Sequence, residues 1–344
     1  MRVPPVTGEY VGLGLGDSSE EIRKIKEFMR KKFRSYAGHL ADTPHYDEQM
    51  TAVVAEMQGR YNQDGKLATG KYTPGIINAE TKYVMGYLER PAGPDNRPVL
   101  FTVCGTGVPW WVGPDAETAR QVEDLYRWQP VGYPAAPFPM GPSIEAGKAE
   151  LRAQINRMEP GFELRKQVER NGMVLAGYSQ GAIVTSEVWE DDIRTSGPIV
   201  GWAKDHVLKA VAWGNPNREQ GKAYPDAGAP LAAADSAGIT GRLMTDTPDW
   251  WRNYAHQGDL YTATRPGESR EDKVAIWQIV RGTNILSGPD SLLRQFLEIA
   301  EAPVPNAIAA FQAFMDAGLF FVKGTRPHLN YNIDTAVRYL REGV

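Results

Sequence analysis

The chain has 344 residues, of which 42% are hydrophobic and 23% charged, enough for two domains or for one large domain with an appendage. A formal net charge of -4 with five histidines offers no basic field for nucleic acid or a membrane surface. The single cysteine, Cys104, excludes an intramolecular disulfide and a cysteine-rich zinc site.

The N-terminal stretch MRVPPVTGEYVGLGLGD lacks the apolar core of a signal peptide, and no uncharged apolar run reaches the roughly 18 residues of a membrane span. The segment DSSEEIRKIKEFMRKKF predicts a helix opened by a capping box, Ser18 with Glu21, and burying Ile22, Ile25, Met29 and Phe33 on one face. A second helix, YDEQMTAVVAEMQGRY, places Met50, Val53, Val54 and Met57 on its inner face, and a third, NAETKYVMGYLER, offers Val84 and Leu88. Three short helices make a small bundle. The Pro- and Gly-rich texture of Leu88 to Leu100 marks a joint, so the expected division is residues 1–90, a linker at 91–97, and residues 98–344.

Beyond the joint, PVLFTVCGTG, GMVLAGYSQG, VLKAVAWGNP and WWRNYAHQGD are apolar or aromatic runs ending in turn residues, as strands buried on both faces of a parallel sheet read. Helical periodicity between the first two supplies a crossover, so this part is α/β.

Gly177-Tyr178-Ser179-Gln180-Gly181 fits G-x-S-x-G, between the strand Met173 to Ala176 and a helix from Ala182 to Glu190. At such a turn small neighbours let strand and helix approach, the Ser179 hydroxyl stands clear, and the backbone N-H of Gln180 faces a developing oxyanion. Chance occurrence in a chain with 35 glycines is the bland alternative. A serine nucleophile demands a histidine base and an orienting carboxylate, in chain order Ser, Asp, His. His39 and His45 fall in the helical part and His206 and His256 precede the best acid, which leaves His328. For the acid, Asp259 in NYAHQGDLYT follows a strand, and is preferred to Asp235, Asp246 and Asp249 in less regular segments. The loop CGTGVPWW is the candidate source of a second oxyanion donor, Thr106, with Gly107 beside it at the tip.

Other motifs fail. GPSIEAGKAE has the wrong spacing between Gly141 and Gly147 for a phosphate loop and carries Ala149 where magnesium needs a hydroxyl. Dinucleotide-binding, zinc-protease and calcium-loop patterns are missing, so neither a cofactor nor a metal is expected. The basic run Arg23 to Arg34 reads as the solvated face of an amphipathic helix.

Together GYSQG, GDLYT and PHLNY resemble the nucleophile, acid and histidine blocks of cutinases and, more closely, of mycobacteriophage lysin B esterases. WGNPNREQG and AGITGRLMTDTPDWWRNYAHQGDLYT are similar to the lysin B pattern, which covers most of residues 98–344. The resemblance implies a cutinase-like α/β-hydrolase with Ser179, Asp259 and His328 as its triad. It implies as substrate the ester joining mycolic acids to arabinogalactan in the mycobacterial wall. Synthesis in the host cytoplasm and action in the envelope follow from it, and the lack of disulfides sets the chain apart from cutinases. Residues 1–90 resemble a peptidoglycan-binding domain through GLGDSSEEIRKIKEFM, AVVAEMQGRY and GIINAETKYVMGYL, but depart from it at Met57, Asn78 and Ala79, which favours the fold over wall binding. Residues 264–326 resemble the helical linker module of lysin B proteins; they either wall an acyl groove, with Phe320 and Phe321 in it, or form a self-contained helical core. Two rivals remain: a general cutinase or lipase on free lipids, and a wall-binding protein whose hydrolase fold has lost catalysis.

Overall fold

The structure, a computed structural model, describes residues 12–90, 95–137, 140–158, 163–227, 229–266, 281 and 326–343. Nearly all of the expected helical insertion, 264–326, and part of the expected linker lie outside the described residues.

The N-terminal part contains α1 (Glu20–Lys32), the single turn α2 (Arg34–Ala37), α3 (Glu48–Gln63) and α4 (Ala79–Met85). The helix starts are written in short polar side chains that accept otherwise orphaned N-H groups. Asp47 accepts from Met50 N and Asn78 from Thr81 N. On α1 the cap is Ser19, which accepts from Glu21 N, rather than Ser18, whose backbone bridges to His45. Ile22, Ile25, Met29, Met50, Val53, Val54 and Met57 meet in one apolar cluster as their spacing requires. On α4 the buried apolar residue is Met85, with Val84 half-buried, because the helix ends one turn earlier, at Gly86 with φ 73°.

Among the described residues five parallel strands follow: β1 (Val99–Val103), β2 (Arg127–Val131), β3 (Met173–Tyr178), β4 (Val207–Trp213) and β5 (Trp251–Tyr254), in the order β2-β1-β3-β4-β5. The four strands expected from apolar runs are present. The fifth, β2, has the sequence RWQPV, whose Pro130 cannot donate to a ladder and is tolerated because the strand lies at an edge.

Alternation along the strands divides the core in two. Phe101, Val103, Met173, Leu175 and Ala210 face α6 (Met140–Ile155), α7 (Leu164–Asn171) and α8 (Gln180–Val188). Leu100, Val174, Ala176, Val211 and Tyr254 face α5 (Pro114–Gln121) and α10 (Asp334–Arg341). Between them, α9 (Arg326–Leu329) is a single turn that returns the chain to the sheet edge. Each large apolar side chain so enclosed contributes about 1.5–3 kcal/mol. The strand order reverses direction between β1 and β3, and the crevice outside the carboxyl ends of those two strands is where such sheets hold ligands.

The helical part meets the sheet part through a buried charge cluster. Lys82 on α4 reaches Glu123 and, at 3.4 Å, Glu21 on α1, with all three side chains at most 7% exposed. Burial raises the Glu21 carboxyl above its ordinary value, against the pull of Lys82.

Candidate active site

Directly beyond β3, Ser179 adopts φ 53° and ψ −114°, a conformation costly for a residue with a Cβ. The surroundings hold it there: its N-H donates to Trp213 O at 2.9 Å across the β3–β4 edge. The flanking glycines are sterically required. A Cβ on Gly177 would stand 2.6 Å from Thr185 Oγ1, and one on Gly181 would overlap the Val103 carbonyl. Gln180 opens α8, so its N-H lacks an intrahelical acceptor and lies at the positive end of the helix.

The α9 turn brings His328 over this serine, with Nε2 2.9 Å from Ser179 Oγ and Nδ1 2.9 Å from Asp259 Oδ2. Asp259 lies in the turn after β5, 1% exposed, and its Oδ1 accepts from Tyr261 N at 2.8 Å. A carboxylate accepts only, so Nδ1 carries the proton and Nε2 is left to accept from the serine hydroxyl. Burial pushes the Asp259 carboxyl up, but the charge and hydrogen bond of His328, the Tyr331 hydroxyl and the Tyr261 N-H outweigh it and hold it below its ordinary value.

The remaining acid candidates are elsewhere. Asp235 pairs with Arg265 at 3.4 Å and Asp249 with Lys222 at 3.5 Å, both on the surface, and Asp246 is exposed in a left-handed turn. His39 and His45 are exposed on the helical part.

Thr106 sits in the loop after β1, and its Oγ1 lies 3.3 Å from Gln180 Nε2. Accepting there leaves the Thr106 proton free to donate into the cleft. The Gln180 side chain is a tie between loops: Nε2 also donates to Ala136 O at 2.9 Å, and Oε1 accepts from Ser143 Oγ at 2.9 Å. Ser143 belongs to the segment whose glycines fail as a phosphate loop, and nothing in its spacing announces this contact. Tyr331 was equally silent as a partner, though it stands inside PHLNY; its hydroxyl donates to Asp259 Oδ2 at 2.5 Å. Tyr178 OH donates to His328 O at 3.1 Å, fixing the backbone that carries the imidazole.

A cleft of about 70 Å³ opens over the serine, lined by Thr106, Val108, Met140, Pro216, Tyr261 and Leu329, and mainly apolar. Leu329 is 65% exposed beside His328. Among the described residues no group of His, Cys, Asp and Glu side chains is arranged to hold a metal ion, and no helix is long and apolar enough to cross a membrane. The arrangement can take a proton from a hydroxyl and present that oxygen to an acyl carbonyl beside an apolar wall.

No protein-family model matches the chain. Endolysin B of Mycobacterium phage L5 is 40% identical over 259 residues, covering 72% of this chain and 99% of that protein. Endolysin B of Mycobacterium phage D29 is 39% identical over 260 residues, with the same coverage. The crystal structure of lysin B from mycobacteriophage D29 superposes with a TM-score of 0.61, covering 72% of this chain and 100% of that one. More than a quarter of this chain has no counterpart in these relatives. At this identity, over nearly their full length, the chain belongs to the endolysin B family of phage lysins, which makes it a carboxylic ester hydrolase built on a cutinase-like α/β-hydrolase fold.

Proposed function

We propose that the chain hydrolyses the ester joining mycolic acids to arabinogalactan in the wall of a mycobacterial phage host, through an acyl-enzyme on Ser179. The observation that carries the chemistry is the unbroken hydrogen-bond chain Ser179–His328–Asp259 at the end of β3. Ser179 Oγ attacks the ester carbonyl while His328 Nε2 takes its proton. The tetrahedral oxyanion is stabilised by the Gln180 N-H and by Thr106. The sugar hydroxyl leaves with the proton held by His328; water then attacks the acyl-enzyme by the same relay and frees the fatty acid. Asp259 stays ionised throughout, holding the imidazole tautomer and favouring the imidazolium that forms.

For the substrate, support comes from the apolar cleft, suited to a lipid acyl group, and from relatives that are lysins of mycobacterial phages. Residues 1–90 form in this reading a helical unit with a peptidoglycan-binding-like fold ahead of the catalytic part, residues 98–344. The protein is made in the host cytoplasm and works in the cell envelope.

The test is to incubate the purified protein and Ser179→Ala with isolated mycolyl-arabinogalactan-peptidoglycan and to measure free mycolic acid. Release by the wild type alone is expected. Equal turnover of triglyceride and wall material would instead indicate a general lipase. Wall pull-down without turnover of p-nitrophenyl butyrate would indicate a binding protein.

A further inference from the structure

Behind His328 lies a second histidine–carboxylate pair that the proposed reaction does not use. His256, 1% exposed, stacks on Tyr331 with ring centroids 4.1 Å apart. Its Nδ1 lies 2.7 Å from the Pro327 carbonyl and its Nε2 3.0 Å from Asp226 Oδ2. The same Asp226 oxygen accepts the Asn332 N-H at 2.6 Å. Pro327 and Asn332 stand on either side of His328, so the pair grips the segment bearing the imidazole from before and from behind.

The proton count follows from the partners. A backbone carbonyl can only accept, so Nδ1 must carry hydrogen. An ionised carboxylate can only accept, so Nε2 must carry hydrogen as well. With Asp226 ionised, both contacts are hydrogen bonds only when His256 is an imidazolium; a neutral ring has to give up one of them. In a site this enclosed a lost partner is not replaced by water without rearrangement.

We propose that His256 and Asp226 form a buried charged clamp that positions His328, holding it within reach of Ser179 while His256 is protonated and releasing it as that proton is lost. The positioning role rests on the reading of His328 as the base; the protonation state of His256 does not.

The two carboxylates that act on the ring agree in sign. Asp226 faces it from the segment before β5, Asp259 from the turn that follows His256, and the Tyr331 phenol covers its face, with the His328 ring beyond Tyr331. Tyr254 on β5 lies within electrostatic reach of Asp226, and the Arg218 guanidinium interacts electrostatically with Asp259 and Tyr331. Burial works against the charged ring, but the hydrogen bonds to Asp226 and Pro327 and the two carboxylate charges outweigh it and raise the His256 pKa above its ordinary value. A raised histidine contributes stability that is complete below its unfolded pKa and is lost as pH rises through its folded one. The clamp therefore opens on the alkaline side.

Two measurements test it. With imidazole nitrogens labelled, proton–nitrogen correlation spectra of the intact protein at pH 7, assigned with His256→Gln, should show both His256 nitrogens protonated; one bare nitrogen overturns the proposal without recourse to any mutant's stability. Kinetically, His256→Gln and Asp226→Asn should each lower kcat for p-nitrophenyl butyrate by about 10- to 100-fold, with KM little changed. Each should also abolish the alkaline fall in kcat expected of the wild type. A folded variant that keeps the wild-type pH profile overturns it. His328→Ala is assayed in parallel: turnover retained there defeats the proposed triad, and with it the positioning role, and leaves the nitrogen spectra to decide the charge on His256.

Discussion

A methyl group on Gly214 would lie 2.5 Å from Cε1 of His328 and 2.8 Å from its Nδ1. Gly214 also has φ +60°, a conformation that an alanine adopts at a cost of about 1 kcal/mol. Gly214→Ala should therefore displace the imidazole from Ser179. We expect kcat for p-nitrophenyl butyrate to fall about 10²-fold in a protein that still unfolds cooperatively. Undiminished kcat would mean that His328 does not need its observed place.

Tyr331→Phe removes the hydroxyl that donates to Asp259 at 2.5 Å. A hydrogen bond to a charged group contributes about 1.5–3 kcal/mol, so kcat should drop roughly 10-fold or more. The pH profile is more specific. Asp259 lies below its ordinary pKa, so its contribution is present above the unfolded value and lost as pH falls through the folded one. With one donor gone that folded value rises, and the acid limb of the kcat profile should shift to higher pH.

Thr106 tests the oxyanion assignment. Thr106→Ala deletes the hydroxyl beside Gln180 and should lower kcat by up to about 10²-fold while leaving the melting temperature in place. Thr106→Ser restores a hydroxyl and should recover most of the rate. If alanine and serine behave alike, the threonine contributes through its backbone alone.

Lys82→Met leaves Glu21 and Glu123 buried without their shared cation. Removing one partner of a buried ion pair costs about 3–5 kcal/mol. The variant's melting temperature should fall, and Glu21→Gln added to it should recover part of the loss. The rate per folded molecule should stay the same, because the cluster lies between α1, α4 and the end of α5, away from the cleft.

Several parts of this molecule are local enough to read from the chain. Ser179 is legible because strand, turn and helix are consecutive and the glycines flanking it are sterically compulsory. His328 is legible by elimination, since only one of five histidines follows the acid. The N-terminal apolar faces follow from helical period, with the cap displaced by one serine because two stand side by side. Strand β2 is hidden by Arg127 and Gln129, which interrupt the apolar run, and by Pro130, whose missing N-H is tolerated at the edge. The contacts of Ser143, Tyr331, Gly214 and the His256–Asp226 pair are not legible for a reason of distance: each acts across 30 to 114 residues of chain, and no periodicity encodes such a meeting.

The imidazole faces a serine that precedes it by 149 positions, and the helix beyond it is pinned where Tyr126 OH donates to the Leu340 carbonyl. In the proposed mechanism a nascent chain leaving the ribosome therefore displays Ser179 long before it acquires the imidazole proposed to activate it. Chains halted before residue 326 should be inert toward esters even where their sheet has formed.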